Sequence, residues 1–326
     1  MQDRSQLVAH ARDTIARGSK SFAAASMLFD RTTRERVWLL YGWCRAADDL
    51  ADAQELGGAL GDQSDAAARL ATIRDKTALA LAGKPSGDAN FDGLGVMARE
   101  CGLTAEMCDD VIAGFAMDAD DWRPRSEADM LQYCYHVAGA VGVMMAKVMG
   151  VPDGDDDTLD RACDLGIAFQ LANIVRDLWE DDAAGRCYLP VEWLVEADIA
   201  PGQHMKPMYR PELVAMVHDA CAMARAYEAS ARIGAARLPL RSRWAILSAT
   251  GIYGSIARKV EAAGQHGWDH RAFTGKFEKL GHVLGAGVAC LRPVPPTCEE
   301  ESKGRPLTRR DFAARARMVA QTAGAA

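Results

Sequence analysis

The sequence predicts an all-α protein that forms a single helical domain. Apolar residues recur with the period of a helix along most of the 326 residues, and this recurrence is the main sequence signal for helices. Alternating β-branched segments bounded by tight turns, which would indicate strands, are nearly absent. With 49% hydrophobic and 25% charged residues, the chain is long enough to enclose one sizeable core.

Glycine and proline clusters divide the periodic stretches into separate helices. These breakers lie at Gly83 to Gly87, Arg123-Pro124, Val151-Pro152 and Pro201-Gly202. In chain order, helices are expected at about 4–17, 32–52, 65–82, 90–101, 104–120, 126–150, 156–182, 210–235, 241–264 and 273–290. A surface loop is expected over 54–65. We therefore expect one catalytic domain over 1–290 and a proline-rich tail over 291–326, with a last short helix at about 308–320.

The net charge of −7 argues against nucleic acid as a partner. The nine cysteines include no C-x-x-C pair, and the first residues lack the apolar core of a signal peptide, which together predict a reduced cytoplasmic protein. No apolar run approaches the roughly 20 residues that span a bilayer, so any membrane contact would be peripheral. The basic residues of the tail are expected to be solvated or, less often, to favour an anionic lipid surface.

The first segment with chemical character is YGWCRAADDLAD, residues 41–52. Asp48 and Asp52 lie four residues apart, so both project from one face of the predicted helix. Like charges placed in this way repel each other, and a cation between them is expected. A solvated helix end is the alternative, but the apolar WLLYGW directly upstream favours a buried helix.

A second polar segment is FQLANIVRDLWEDDAAGRCYLP, residues 169–190. Gln170, Asn173, Asp177 and Asp181 follow each other at spacings of three, four and four, and so form one polar stripe on an otherwise apolar helix. Carboxylate and amide oxygens without a nearby His or Cys set suit Mg²⁺ or Mn²⁺, which commonly bridge to substrate phosphates. Two such stripes facing each other would hold several cations around one diphosphate.

Basic and hydroxyl groups lie close to both segments in the sequence. Arg45 and Arg176 accompany the aspartates, and GSKSF contributes Ser19, Lys20 and Ser21. Guanidinium and hydroxyl groups are suitable ligands for a diphosphate. Each alone has an ordinary explanation as a surface ion pair or a helix cap.

Three segments resemble the signature blocks of the squalene/phytoene synthase family, the head-to-head prenyl synthases: YGWCRAADDLAD, YCYHVAGAVG (133–142) and FQLANIVRDLWEDDAAGRCYLP. GSKSFAAASMLFD, GFAMD (114–118) and LPLRSRWAI extend the resemblance over most of the chain, and bacterial phytoene synthases are the most similar members. The resemblance implies the isoprenoid-synthase fold around a central cavity. It also implies a prenyltransferase that condenses two geranylgeranyl diphosphates, through prephytoene diphosphate, to 15-cis-phytoene with release of diphosphate, the first committed step of carotenoid biosynthesis.

The resemblance further implies roles for individual residues. The metal ligands would be Asp48, Asp52, Asn173, Asp177 and Asp181. Tyr133 is the first candidate for the base, Tyr41 the second and the released diphosphate the third, while a buried aromatic with a satisfied hydroxyl explains Tyr133 equally well. The diphosphate would be bound by Ser19, Lys20, Ser21, Arg45, Gln170, Arg176, Arg186, Tyr253 and Arg271. The cavity wall would include Phe22, Val137, Ala138 and Gly142, although tight helix packing is favoured for Gly142.

Cofactors, partners and alternatives complete the expectation. GLGVMA (93–98) matches G-x-G-x-x-A, but no predicted strand precedes it, so no NADPH is expected; an activating role of ATP stays open. The insoluble product implies transient membrane contact and hand-over to a phytoene desaturase. The alternatives are a dehydrosqualene or squalene type of synthase that uses farnesyl diphosphate, and a non-catalytic relative that serves in binding or assembly.

Overall fold

Every regular element that the structure describes is a helix, which confirms the predicted all-α class. The structure is a computed structural model that describes residues 3–54, 61–62, 64–120 and 122–323, except the side chains of Ser21 and of 319–323. The predicted loop over 54–65 lies mostly outside these ranges. In the described part of the chain, no helix is both long and apolar enough to cross a membrane.

The α-helices are, in chain order, α1 Arg4–Gly18, α2 Lys20–Ser26, α3 Arg31–Ala51, α4 Ala66–Leu81, α5 Ala89–Cys101, α6 Ala105–Ala119, α7 Glu127–Cys134, α8 Ala140–Val148, α9 Asp156–Arg176, α10 Leu178–Ala183, α11 Val191–Glu196, α12 Arg210–Ala235, α13 Leu240–Ala263, α14 Lys276–Ala289, α15 Pro296–Ser302 and α16 Arg309–Ala323. A π-helix spans Tyr135–Gly139, and short 3₁₀ turns span Pro207–Tyr209 and Gly264–His266.

Two of the predicted helices are interrupted in the structure. The predicted helix over 126–150 contains the π-helix, in which the N–H of Ala140 donates to the carbonyl of Tyr135. The predicted helix over 156–182 breaks at Asp177, between α9 and α10. Hydrophobic periodicity did not reveal either interruption, because a single irregular residue or turn barely shifts the apolar pattern of a long helix. Both interruptions fall inside the signature blocks. The first is a π-helical turn, and such turns frequently occur at functional sites.

The chain divides into two compact units, and the first comprises residues 1–122, 143–155 and 238–245. Its core includes Leu40 and Trp43 of α3, and the Trp43 indole donates to the Thr77 hydroxyl at 3.2 Å. Helix α5 lies so close to α4 that a Cβ on Gly95 would fall inside 3.0 Å of the Ala80 carbonyl. The glycines of GLGVMA therefore belong to a packed helix interior.

The second unit comprises residues 123–142, 156–237 and 246–326. Helix α9 packs against α12 and against the π-helix. A Cβ on Gly166 would fall inside 3.0 Å of the Ala138 carbonyl, and one on Gly142 would do the same at the Ala162 carbonyl. Close packing of these helices therefore accounts for Gly142, as the packing interpretation expects.

The tail contributes to the core of the second unit. Phe312 of α16 is fully buried and stacks on Tyr135, with ring centroids 5.3 Å apart. Cys298 of α15 is buried against Ala229 and Ile233. Helix α16 occupies the region of the predicted last helix, while the predicted domain boundary at residue 290 stays a prediction.

Several basic residues of the tail are paired with acidic groups of the second unit. Arg309 donates to Asp160 at 2.5 Å and to Asp156 at 2.9 Å, and Arg315 donates to Asp129 at 2.9 Å. The expectation that such a charge run is simply solvated is wrong for these two arginines. The reason is tertiary: α16 packs against α9, whose first turn is acidic and pairs with Arg309, while Arg315 reaches Asp129 of α7.

Candidate active site

Three carboxylates cluster at the C-terminal end of α3 in the first unit. Asp48 and Asp49 lie in the last turn, and Asp52 is the C-cap residue. The C-terminus of a helix is the negative end of its dipole, so carboxylates are unfavourable there unless cations accompany them. The local fold therefore favours a positive partner at this point.

Two of these carboxylates point toward a common position. The side-chain nitrogen Nε2 of Gln54 lies 3.4 Å from Oδ2 of Asp48 and 3.4 Å from Oδ2 of Asp52. Arg45 donates to the same oxygen of Asp48 at 2.7 Å and approaches Asp49 at 3.8 Å. The oxygens of Asp48 and Asp52 thus converge on one donor, while a shared cation stays a prediction.

The electrostatics of Asp48 reflect this crowding. Burial raises the pKa of Asp48 to about 6, against the lowering effect of Arg45. The negative charges of Asp52, Asp49 and Asp118 raise it further. Asp118 belongs to GFAMD in α6, and sequence reasoning noted that block without selecting the carboxylate.

Two unpaired polar groups accompany this cluster. The Tyr41 hydroxyl and Nε of Arg45 are both buried without a hydrogen bond of ordinary geometry among the described residues, although the Tyr41 hydroxyl lies close enough to the Arg45 guanidinium to raise its pKa. The Arg45 guanidinium carbon lies 6.0 Å from the centre of the Tyr41 ring. The centroids of the Phe22 and Tyr41 rings lie 5.5 Å apart. Buried donors without partners are costly, so a ligand that accepts from them would be favoured.

The GSKSF segment forms the start of α2. Ser19 is the N-cap residue, and its hydroxyl accepts from the backbone N–H of Phe22 at 3.3 Å. Its capping interpretation therefore holds in this structure. Lys20 is exposed, and the side chain of Ser21 lies outside the described part of the chain.

The second acidic segment, in the second unit, centres on Asp177 at the break between α9 and α10. Arg176 donates from Nε to Oδ1 of Asp177 at 2.6 Å and also pairs with Oδ2. Arg271 donates from Nε to the same Oδ1 at 2.9 Å. The structure thus brings Arg176, Arg271 and Asp177 together, with two guanidiniums on one carboxylate.

The other members of the polar stripe lie on either side of Asp177. Nδ2 of Asn173 donates to Oε1 of Gln170 at 3.2 Å. The backbone N–H of Arg186 donates to the carbonyl of Asp181 at 2.8 Å, so the chain turns back on α10 at this point. All of these side chains are partly exposed, whereas Leu171, Ile174, Val175 and Leu178 are buried.

Sequence reasoning missed the residue that fastens this turn. Arg123 donates from Nη2 to the carbonyl of Gly185 at 2.9 Å. Gly185 has a φ of +75°, a conformation that favours glycine. Arg123 belongs to the predicted breaker Arg123-Pro124 and to no motif, so no sequence signal marked it as a site residue.

Two further aromatic candidates, Tyr133 and Tyr253, belong to the second unit. Tyr133 lies in the last turn of α7, two residues before the π-helix, is 4% exposed and stacks on Tyr188 at 4.7 Å between ring centroids. Tyr253 stacks on Phe169 at 4.3 Å. Val137 and Ala138 are partly buried within the π-helix.

Comparison with known proteins decides the family. Residues 15–278 match the sequence model described as Squalene/phytoene synthase. The chain belongs to the squalene/phytoene synthase family.

Curated relatives in the squalene/phytoene synthase family match over most of their length. A phytoene synthase of Pseudescherichia vulneris is 44% identical over 288 residues, which cover 88% of this chain and 93% of the relative. A 15-cis-phytoene synthase of Pantoea ananas is 44% identical over 287 residues, which cover 87% and 92%. The predicted family is therefore confirmed.

Solved structures of the squalene/phytoene synthase family confirm the predicted isoprenoid-synthase helical fold. A dehydrosqualene synthase in complex with a ligand aligns with a TM-score of 0.77 at 25% identity, covering 88% of this chain and 97% of that one. A squalene synthase from Alicyclobacillus acidocaldarius aligns with a TM-score of 0.70 at 21% identity, covering 81% and 95%. The central cavity stays a prediction.

The squalene/phytoene synthase family uses prenyl diphosphates and is generally dependent on divalent metals, so the fit of each segment to a cation matters. Among the residues that the structure describes, no three His, Cys, Asp or Glu side chains stand in a ready arrangement for a metal. Two of the proposed carboxylate ligands are instead paired with arginines: Asp48 with Arg45, and Asp177 with Arg176 and Arg271. The oxygen-only donors and the shared focus of Asp48 and Asp52 nevertheless fit a hard cation.

Proposed function

We propose that this chain condenses two geranylgeranyl diphosphates head to head, through prephytoene diphosphate, into 15-cis-phytoene, with release of diphosphate. The chain would thereby catalyse the first committed step of carotenoid biosynthesis. The observation that carries the proposal is the 44% identity, over nearly nine tenths of the chain, to relatives named phytoene synthases from two organisms. These relatives bear out the prediction of a prenyltransferase.

The two acidic segments are proposed to hold Mg²⁺ or Mn²⁺. Asp48 and Asp52 supply oxygens from the first unit, and Asn173, Asp177 and Asp181 supply them from the second. Bound divalent cations would neutralise the charge that develops on a departing diphosphate. The convergence of the Asp48 and Asp52 oxygens on the Gln54 amide supports this role.

The basic residues are proposed to bind and orient the diphosphate. Arg45, Arg176 and Arg271 each form an ion pair with a carboxylate that is a proposed metal ligand, namely Asp48 or Asp177. When cations occupy these carboxylates, the guanidiniums become available to phosphate oxygens, which they bind in bidentate fashion. Ser19 and Lys20 of the first unit, and Gln170, Arg186 and Tyr253 of the second unit, remain proposed contacts of substrate diphosphate.

The proposed reaction needs a base for two proton losses. One allylic C–O bond ionises, the double bond of the second substrate attacks the allylic cation, and loss of a proton closes a cyclopropane. The cyclopropane intermediate then ionises, rearranges and loses a second proton. A weak base in a dry setting is sufficient for each proton. Tyr133, which is buried against Tyr188, is the proposed base, and Tyr41, with its unpaired hydroxyl, is the second candidate.

One alternative substrate is favoured by a specific observation. The solved structure at a TM-score of 0.77 is a dehydrosqualene synthase, which supports farnesyl diphosphate as the competing substrate for this fold. Phytoene from geranylgeranyl diphosphate and dehydrosqualene from farnesyl diphosphate are both expected to form without NADPH. Whether ATP activates the reaction stays open.

The proposal is tested by metal removal. Chain stripped with EDTA and incubated with geranylgeranyl diphosphate should form no phytoene, and addition of Mg²⁺ or Mn²⁺ without NADPH should restore it. Phytoene formation that persists in EDTA would overturn the role of the acidic segments. A folded chain that forms no product under any of these conditions would favour the non-catalytic alternative.

A further inference from the structure

Helix α14 exposes a stripe of large apolar side chains. They follow one another at helical spacings of three and four residues and are between 51% exposed, for Val288, and 90% exposed, for Phe277. The stripe, which we call the α14 face, consists of Phe277, Leu280, Leu284 and Val288 on the helix, together with Phe273 just before it and Leu291 just after it. It extends about 16 Å along the helix between Phe277 and Val288.

The opposite side of α14 provides the contact with the second unit. Ala286 and Cys290 are buried there, at 7% and 8% exposure. A surface helix normally buries its large apolar residues and exposes its polar ones, whereas α14 buries small residues and exposes large ones. A contiguous exposed apolar patch of this kind marks an interaction site.

The segment that leads into α14 is fastened to its own unit. Lys259 donates to the carbonyl of Phe273 at 2.8 Å and pairs with Glu278 at 2.7 Å. The Thr274 hydroxyl donates to the carbonyl of Ile252 at 3.1 Å. The α14 face is therefore presented from a fixed position.

The segment that carries the α14 face has a positive formal charge in a chain whose net charge is −7. Residues 276–292 contain three basic side chains, Lys276, Lys279 and Arg292, and one acidic side chain, Glu278. Formally this gives a net charge of +2 over the segment, and Lys259 already pairs with the acidic group. An apolar stripe with basic residues beside it is typical of helices that lie in the interface of an anionic membrane.

We propose that the α14 face is a docking surface for an anionic phospholipid bilayer, with the helix lying along the interface and its basic side chains at the headgroups. The choice of a bilayer as occupant also rests on the proposed function, because the hydrocarbon product is insoluble in water. The charge of the segment supports this choice independently of the product.

The test uses the full chain and vesicle flotation. Vesicles are made of phosphatidylcholine alone or with about one third phosphatidylglycerol. The double variant Phe277→Ser with Leu284→Ser removes two side chains of the α14 face. The double variant Val195→Ser with Met208→Ser is the matched control, because these two apolar residues of the same unit are also highly exposed, at 69% and 70%.

We expect the wild type and the control to float with the anionic vesicles. The α14-face variant should need at least about tenfold more lipid for half-maximal binding, because less apolar surface is transferred from water into the bilayer. Lys276→Glu should weaken binding to anionic vesicles and leave binding to neutral vesicles unchanged. Equal melting temperatures would verify that the variants are folded.

Two results would overturn the inference. One is the absence of a specific effect, in which the wild type floats with neither vesicle or the α14-face variant floats as the wild type does. The other is a concentration-dependent dimer in sedimentation that only the α14-face variant abolishes, without vesicle binding, since a second copy would then be the occupant. Phytoene formation measured in detergent micelles separates this inference from the proposed function, since it requires no vesicle binding.

Discussion

Arg271 donates from Nε to the carboxylate of Asp177 at 2.9 Å across 94 residues of sequence. Arg176 holds the same carboxylate from the neighbouring position. Because the Arg271 side chain is 56% exposed, its ion pair adds little to folding stability. Its position beside a proposed metal ligand motivates the proposal that Arg271 contacts the substrate diphosphate.

Arg271→Ala should raise KM for the prenyl diphosphate about tenfold or more, since a charge-assisted hydrogen bond to the substrate is lost. The free energy of unfolding should change by less than about 1 kcal/mol. Steady-state kinetics and urea unfolding measure the two effects. Arg31→Ala, which removes an 85% exposed arginine paired with Glu35, is the control and should change neither. An unchanged KM in Arg271→Ala would contradict the assignment.

Asp48→Asn should reduce the turnover of geranylgeranyl diphosphate by about 100-fold or more, because a proposed metal ligand is lost. The melting temperature should stay the same or rise, since the substitution removes a carboxylate that is crowded by Asp49, Asp52 and Asp118. Asp13→Asn, at an exposed position of α1, is the matched control. Full activity in Asp48→Asn, or its loss together with unfolding, would remove the support for a cation site.

Tyr133→Phe keeps the ring that stacks on Tyr188 and removes only the hydroxyl. If the hydroxyl takes a proton from the carbocation, turnover should fall by about 100-fold or more while the melting temperature is retained. Product analysis by chromatography would also reveal whether the cyclopropane intermediate accumulates. Turnover within a few-fold of the wild type would assign Tyr133 to packing and turn attention to Tyr41.

A buried pair in the second unit predicts a specific pH dependence of stability. Asp164 is fully buried, accepts from the Ser230 hydroxyl at 2.5 Å and pairs with Arg305 of the tail. Burial raises the pKa of Asp164 to about 6, although Arg305 and Ser230 lower it. Since the pKa in the folded state exceeds that in the unfolded chain, this group stabilises the fold at low pH, and that stability is lost as the pH rises through about 6.

The wild type should therefore gain roughly 1 kcal/mol from this group between pH 7.5 and pH 5. Asp164→Asn cannot ionise and should lack that gain, so the difference in unfolding free energy between the two proteins should widen toward pH 5. Urea unfolding at both pH values measures it. A constant difference would mean that Asp164 stays ionised across this range.

The helical class and most helix positions could be predicted from the sequence because hydrophobic periodicity persists over whole helices. The break at Asp177 and the π-helix after Cys134 could not, since each affects only a single residue or turn. Helix α14 shows a different limit. Its amphipathic pattern is visible in the sequence, but tertiary packing decides which side of the helix faces solvent.

For the candidate site, the acidic stripes and their arginine neighbours were predictable because helical spacing places them together. Gln54 and Asp118 were not, because their approach to Asp48 depends on the turn after α3 and on the packing of α6. The tail was expected to be irregular from its prolines, yet Phe312 and Cys298 are buried in the second unit, since isolated apolar residues carry no periodic signal.

The most direct measurement is product identification after separate incubations with geranylgeranyl diphosphate and farnesyl diphosphate, with Mg²⁺ or Mn²⁺ and without NADPH. The proposed function predicts 15-cis-phytoene from the first substrate and little or no product from the second. A thirty-carbon product from farnesyl diphosphate at a higher kcat/KM would contradict it.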